Sequence, residues 1–160
     1  MKIKDLSSDV VAQLVALEVQ NILPVLASVG LNLTEKDMEH QFVAFKDSEV
    51  VVAYDDDGDV AGFVMYEVKG SEVMIISFNL RQFNNANILF GLLGELIFEI
   101  SESNIILVKS RAHHTNKRSL NFHRRMGFQE FSKTEQFVEF QIDRDKLLMV
   151  LKSRLGVFDY

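Results

Sequence analysis

The residues best suited to chemistry lie between Asn116 and Phe128, in the run NKRSLNFHRRMGF. Asn116, Ser119, His123 and Met126 are separated by three, four and three positions, which places them on one face of a helix. With Phe122 beside them, Asn, Ser and His make that face more polar than a core stripe. Lys117, Arg118, Asn121, Arg124 and Arg125 point elsewhere. His123 has two readings: a functional imidazole, or a ring satisfied by a hydrogen bond where helix meets sheet. Gly127 follows as a left-handed cap residue should, and that role is structural under either reading.

Charge is uneven along the chain. The formal net charge of −6 argues against a general nucleic-acid binder. Yet Lys109, Arg111, Lys117, Arg118, Arg124 and Arg125 form a basic island without an intervening acid. It reads as an anion site or as a solvated helix face balanced by acids elsewhere. His113 and His114 invite a metal reading with His123. Adjacent side chains diverge, however, and no neighbouring carboxylate or cysteine completes a zinc ligand set, so no metal is expected. Cysteine is absent altogether, which removes disulfides, thiolate metal sites and any acyl-cysteine intermediate.

These residues need a scaffold, and 160 residues suffice for one domain with a sizeable core. The apolar fraction of 48% and charged fraction of 25% are globular values, so disorder is not expected. Uninterrupted apolar runs are too short to cross a bilayer, and MKIKDLSSD does not read as a signal peptide. A cytoplasmic protein without membrane partners is the expectation. Met1 to Lys4 reads as a short strand, followed by a helix from about Ser7 that Pro24 should bend or stop. A second helix starts near Thr34. Glu49 to Tyr54 and Val60 to Val68 form a hairpin about the turn DDDGD, and Glu72 to Leu80 completes a meander.

A helix is expected from Ala86 to Ser103, a buried strand from Ile105 to Lys109, and a helix from Asn116 to about Met126. Strands at Phe128 to Ser132 and Phe137 to Ile142 follow, and Asp143 to Leu155 closes the chain as an amphipathic helix. Mixed α/β is the fold class, with a helix crossing between two neighbouring strands in the middle.

The run from Asn116 to Phe128 resembles a motif of the GNAT superfamily of N-acetyltransferases: Asn, a small residue three later, an aromatic or His seven later, then Gly-Phe. Here these are Asn116, Ser119, His123, Gly127 and Phe128. The element order from Met1 to Ile142 is similar to the GNAT order as well. The resemblance implies a single domain over 1–160, with a mostly antiparallel mixed sheet flanked by helices over 1–142 and an added C-terminal helix in 143–160.

It also implies direct transfer, in which an amine attacks the thioester carbonyl of bound acetyl-CoA. Its pyrophosphate motif, Q/R-x-x-G-x-G/A, fits best at Arg81, Gln82, Phe83, Asn84, Asn85 and Ala86, with Asn84 in place of a Gly. If that position must be left-handed, Asn is among the residues that tolerate it best. Its Cβ would still restrict how closely phosphate approaches the backbone. Ile76 falls where family members pair backbone with the pantetheine arm, and Asn116 and Ser119 join the cofactor residues. His123 takes the place of a Tyr that protonates the departing thiolate; an ordinary imidazole pKa of about 6.5 suits that work. Glu72 is the candidate base, Glu67 the second, and water can relay the proton instead. A coenzyme A thioester and an amine acceptor are the implied partners. The acceptor itself carries no motif. The terminal helix, with Leu147, Leu148, Leu151 and Leu155, is suited to packing on the sheet or on a second subunit as a homodimer. A binding or regulatory module of the same fold that has lost catalysis is the alternative.

Overall fold

A computed structural model of the protein describes residues 1–155. The end of the extension expected over 143–160 lies outside these residues. Six strands, β1 (Glu49–Tyr54), β2 (Val60–Lys69), β3 (Glu72–Leu80), β4 (Leu107–His113), β5 (Gln129–Lys133) and β6 (Phe137–Asp143), form one sheet in the order β1-β2-β3-β4-β6-β5. Among the described residues five α-helices accompany it: α1 (Ser8–Ala27), α2 (Glu35–Ala44), α3 (Ala86–Ser101), α4 (Lys117–Arg125) and α5 (Arg144–Leu155). The pairing is antiparallel between β1 and β2, β4 and β6, and β5 and β6. It is parallel between β3 and β4, which α3 connects. This is the mixed, mostly antiparallel α/β class expected.

Two compact units are distinguished. The first comprises Met1–Tyr66 and Ser77–Leu92. Its α1 is capped by Ser7, whose hydroxyl accepts from Val10 N–H, and buries Leu14, Val15 and Leu17. A reciprocal capping box between Thr34 and Asp37 starts α2, which buries Met38 and Phe42. The Phe42 ring meets Phe63 of β2 edge to face, with centroids 6.1 Å apart. Gly62 allows close backbone approach here. A Cβ at that position would stand 2.8 Å from the Asn79 carbonyl oxygen and equally close to Leu80 Cδ2.

The second unit comprises Glu67–Ile76 and the described chain from Leu93. There β4 pairs with β6 along its length, from Leu107↔Asp143 to His113↔Phe137. Helix α4 packs on β4 and α5 on β6. Val108, Leu120, Met126, Phe128, Val138, Phe140, Ile142, Leu147 and Leu151 are buried.

The start of the chain differs from expectation, and the readings of Pro24 and of α1 are narrowed. Met1 to Lys4 is not a strand: Ile3–Asp5 is a turn of 3-10 helix, and Lys2 alone makes a β-bridge, to Glu49. The alternation M-K-I-K resembles a strand, but Ile3 is the one side chain it buries. Pro24 does not end α1, which continues to Ala27. Proline denies a donor to the Gln20 carbonyl, and both residues are exposed, so water can supply it. By length and composition α1 as a whole is long and apolar enough to cross a membrane, although no single apolar run within it is. In this fold its Gln13 accepts from Val60 N–H at 2.8 Å and its Asn21 is buried against β3.

Candidate functional site

In the second unit α4 carries the polar face read from the sequence. Asn116 is its N-cap, with the side-chain oxygen accepting from Ser119 N–H at 3.2 Å. His123 is 6% exposed, stacked on Phe140 at 4.5 Å and met edgewise by Phe128. Its Nδ1 lies 2.7 Å from the Ser119 carbonyl, which can only accept, so Nδ1 carries the proton. Nε2 is then the acceptor for the Ser110 hydroxyl at 2.8 Å. Burial pushes the His123 pKa down, opposed by the bond to Ser119. Both ring nitrogens are therefore engaged, and the imidazole is neutral. That geometry is the satisfied histidine at a helix–sheet boundary, and a proton could reach or leave Nε2 only by way of Ser110. Gly127 ends α4 at φ +85°, as its cap role requires.

His113 is 7% exposed and takes the opposite tautomer. Nδ1 accepts from Thr115 N–H at 3.2 Å and lies 2.8 Å from the Thr115 hydroxyl, while buried Nε2 has no hydrogen-bond partner among the described residues. His114 stacks on His113 with centroids 4.7 Å apart. The basic island is largely engaged. Lys109 pairs with Glu72 at 2.7 Å, Arg124 with Glu130 at 2.6 Å, and Arg111 lies over the Phe137 ring. The two candidate bases are thus both in ion pairs: Glu72 with Lys109, and Glu67 with Lys69 at 3.4 Å.

Among the described residues the β3–β4 ladder runs from Glu72↔Leu107 to Met74↔Lys109 and goes no further. Ile76 lies two residues beyond its last rung. Here β4 keeps its pairing with β6, so β3 has an edge past Met74 without a β4 partner. Such an edge offers backbone donors and acceptors to an extended ligand.

In the first unit the segment from Arg81 to Ala86 leads into α3. Asn85 N–H donates to the Gln82 carbonyl at 3.2 Å, closing a turn about Phe83 and Asn84. Asn85 caps α3, its side-chain oxygen accepting from Ile88 N–H at 3.2 Å. No non-glycine among the described residues has positive φ, so Asn84 bears no left-handed strain. Gln82, Asn84, Asn85, Ala86 and Asn87 line an open hollow at this helix start. Amide side chains and the helix N-terminus suit a phosphate there. The cation of the motif, Arg81, is held 2.8 Å from Asp55.

One cluster escaped sequence reasoning. Glu18 on α1 accepts from the Ser77 hydroxyl at 2.6 Å and from the Asn79 amide, both on β3. The Asn79 amide also donates to Ser77 Oγ at 2.7 Å, and Asn21 donates to Asn79 Oδ1 at 2.9 Å and to the Leu80 carbonyl at 3.1 Å. Burial pushes the Glu18 pKa up, against the two hydrogen bonds. The available signal was Glu18 and Asn21 on the same face as the apolar residues Leu14 and Leu17, together with the alternation of Ser77 and Asn79 in β3.

No family model matches the chain, and no curated protein matches it by sequence. Solved structures do match. The PaiA N-acetyltransferase of Thermoplasma acidophilum, in complex with coenzyme A, is 14% identical; the match covers 89% of this chain and 95% of that one, with a TM-score of 0.68. The ribosomal-protein-S18-alanine N-acetyltransferase of Escherichia coli is 14% identical over 86% and 90% of the two chains, with a TM-score of 0.64. An N-acetyltransferase of Staphylococcus aureus is 15% identical over 88% and 94%, with a TM-score of 0.62. The fold of this chain is the one these proteins share.

Proposed function

We propose that this chain, whose fold is that of the GNAT acetyltransferases, is an N-acetyltransferase moving an acetyl group from acetyl-CoA to a primary amine. The observation that carries the reading is the β3 edge that leaves the β4 ladder after Met74, next to Ile76. Backbone groups of Ile76 would pair with the extended arm of the donor and polarise its carbonyl. The amide-lined hollow from Gln82 to Asn87 supports placing the pyrophosphate at the start of α3, with Asn84, Asn85 and Ala86 around it. Arg81 would add charge from its place beside Asp55. Asn116 and Ser119 contribute by building the first turn of α4.

The donor supplies an acyl carbon activated as a thioester. The protein would hold that carbon against a neutral amine. His123, locked between Ser110 and Ser119, enters as a positioning residue that ties α4 to β4. Calorimetric titration with acetyl-CoA and mass-detected acetylation of an amine panel test the proposal. Saturable binding and acetylated product are expected, and no heat at about millimolar donor would overturn it.

A second reading, a binding module of this fold without turnover, is favoured by the engaged nitrogens of His123 and the ion pairs of Glu72 and Glu67. Acetyl-CoA binding without product across the panel would select it.

A further inference from the structure

From the way Ser77 and Asn79 fix one oxygen of Glu18 and leave the other without a donor, we infer that Glu18 receives the ammonium group of the acceptor and takes its proton. The proton transfer rests on the acetyltransferase reading above; the ammonium site does not.

The geometry is that of a site prepared for a cation it does not itself contain. Oε2 accepts from Ser77 and Asn79, whereas Oε1 has no donor among the described residues. Asn21, Asn79, Ser77 and Glu18 form a directed chain of donors ending on the carboxylate, which holds it in one orientation. Asn79 and Ser77 are 2% and 8% exposed, so these donors are shielded from water. No lysine, arginine or histidine among the described residues is within ion-pair distance of Glu18.

Once ionised in such a place, the carboxylate has no cation among the described residues to compensate it, which folding alone gives no reason to keep. An alkylammonium group at Oε1 would compensate it through a charge-assisted hydrogen bond. The groups that meet Glu18 from β3 are the neutral Ser77 and Asn79, and the next turn of α1 supplies the neutral Asn21. From α2, which packs against α1, no charged group perturbs it. Burial raises the affinity of Glu18 for a proton above that of an ordinary carboxylate, which fits it to take one from an ammonium ion. Glu72, by contrast, is already neutralised by Lys109.

The step balances within the proposed reaction. An N–H bond of the ammonium breaks and an O–H bond forms on Glu18. The amine lone pair then attacks the thioester carbonyl, the C–N bond forms and the C–S bond breaks. The departing sulfur takes the second amine proton, and Glu18 returns its proton to solvent.

The test reads Glu18 directly. Its carboxyl is titrated by carbon-detected NMR in the full-length protein, with methylammonium or tetramethylammonium chloride at matched ionic strength. Methylammonium, which can donate hydrogen bonds, is expected to lower the Glu18 pKa saturably, and tetramethylammonium to leave it unchanged. Equal responses to the two cations overturn the ammonium site.

In parallel, Glu18→Gln keeps an oxygen for Ser77 and Asn79 and should fold with an unchanged or higher Tm and unchanged acetyl-CoA binding. Its kcat/KM for any amine the wild type acetylates should fall about 100-fold or more. Retained turnover in that variant overturns the proton transfer while leaving the acetyltransferase reading intact. A selective methylammonium response in a protein that acetylates nothing keeps the ammonium site and removes the acetyltransferase reading.

Discussion

The Ser110 hydroxyl donates to Nε2 of His123 across 2.8 Å, tying β4 to α4 inside the second unit. Both groups are buried, so nothing replaces the bond when one partner goes. Ser110→Ala should therefore cost about 1 to 3 kcal/mol in urea denaturation, the penalty of a buried acceptor left without a donor. A cost near zero would mean that Nε2 finds another donor.

His123 also sets a pH dependence. Its folded pKa lies below the ordinary value of 6.5, so the unfolded chain binds the proton more readily. The contribution to stability is complete above pH 6.5 and is lost as pH falls through the lowered folded pKa. His113 is shifted in the same direction, by burial and by His114. Denaturation midpoints should thus fall between about pH 7.5 and about pH 5, and His123→Asn should flatten that fall without abolishing it.

Asp55 works with both oxygens. Oδ2 holds Arg81, while Oδ1 accepts from Asp57 N–H at 3.1 Å and from Asp59 N–H at 2.9 Å in the hairpin turn. The ion pair is about one-third exposed on each side, so Arg81→Ala should cost about 0.5 kcal/mol. Asp55→Ala also removes the turn bonds and should cost about 1 to 2 kcal/mol more. Equal losses in the two variants would remove the turn from the account.

If the start of α3 takes phosphate as proposed, the obstacle at Asn84 is the Cβ rather than the backbone angle, since no left-handed residue stands there. Asn84→Gly should tighten coenzyme A binding severalfold by calorimetry while lowering stability by about 0.5 to 1 kcal/mol. Unchanged affinity would show that the hollow accepts phosphate with Asn in place.

Legibility followed side-chain pattern. Strands β1 and β3 have the limits their β-branched runs suggest, and DDDGD fixes the turn between β1 and β2. Strand β4 was legible only in part: the apolar run suggests Ile105 to Lys109, whereas the strand is Leu107–His113. Its ladder with β6 runs on through Lys109, Ser110 and Arg111, polar residues that a search for apolar runs discards. Helix α3 stops at Ser101 rather than Ser103, with Leu92, Leu93, Leu96, Ile97 and Ile100 buried and Ile88 and Leu89 only half-buried. The face of α4 was legible because its residues are close in sequence. Glu18 was not, because its partners Ser77 and Asn79 lie about sixty positions away, and polar residues on an apolar helix face carry no local signature.

Gly62 sets the back wall of that hidden cluster by having no side chain. A methyl group there would press on the Asn79 carbonyl, and Asn79 is the residue that receives from Asn21 and donates to Glu18. A residue with no hydrogen bond to Glu18 can in this way retune the carboxylate from behind. If Glu18 receives an amine as inferred, position 62 in a directed-evolution library would behave as a remote dial, altering acceptor preference and stability together rather than either alone.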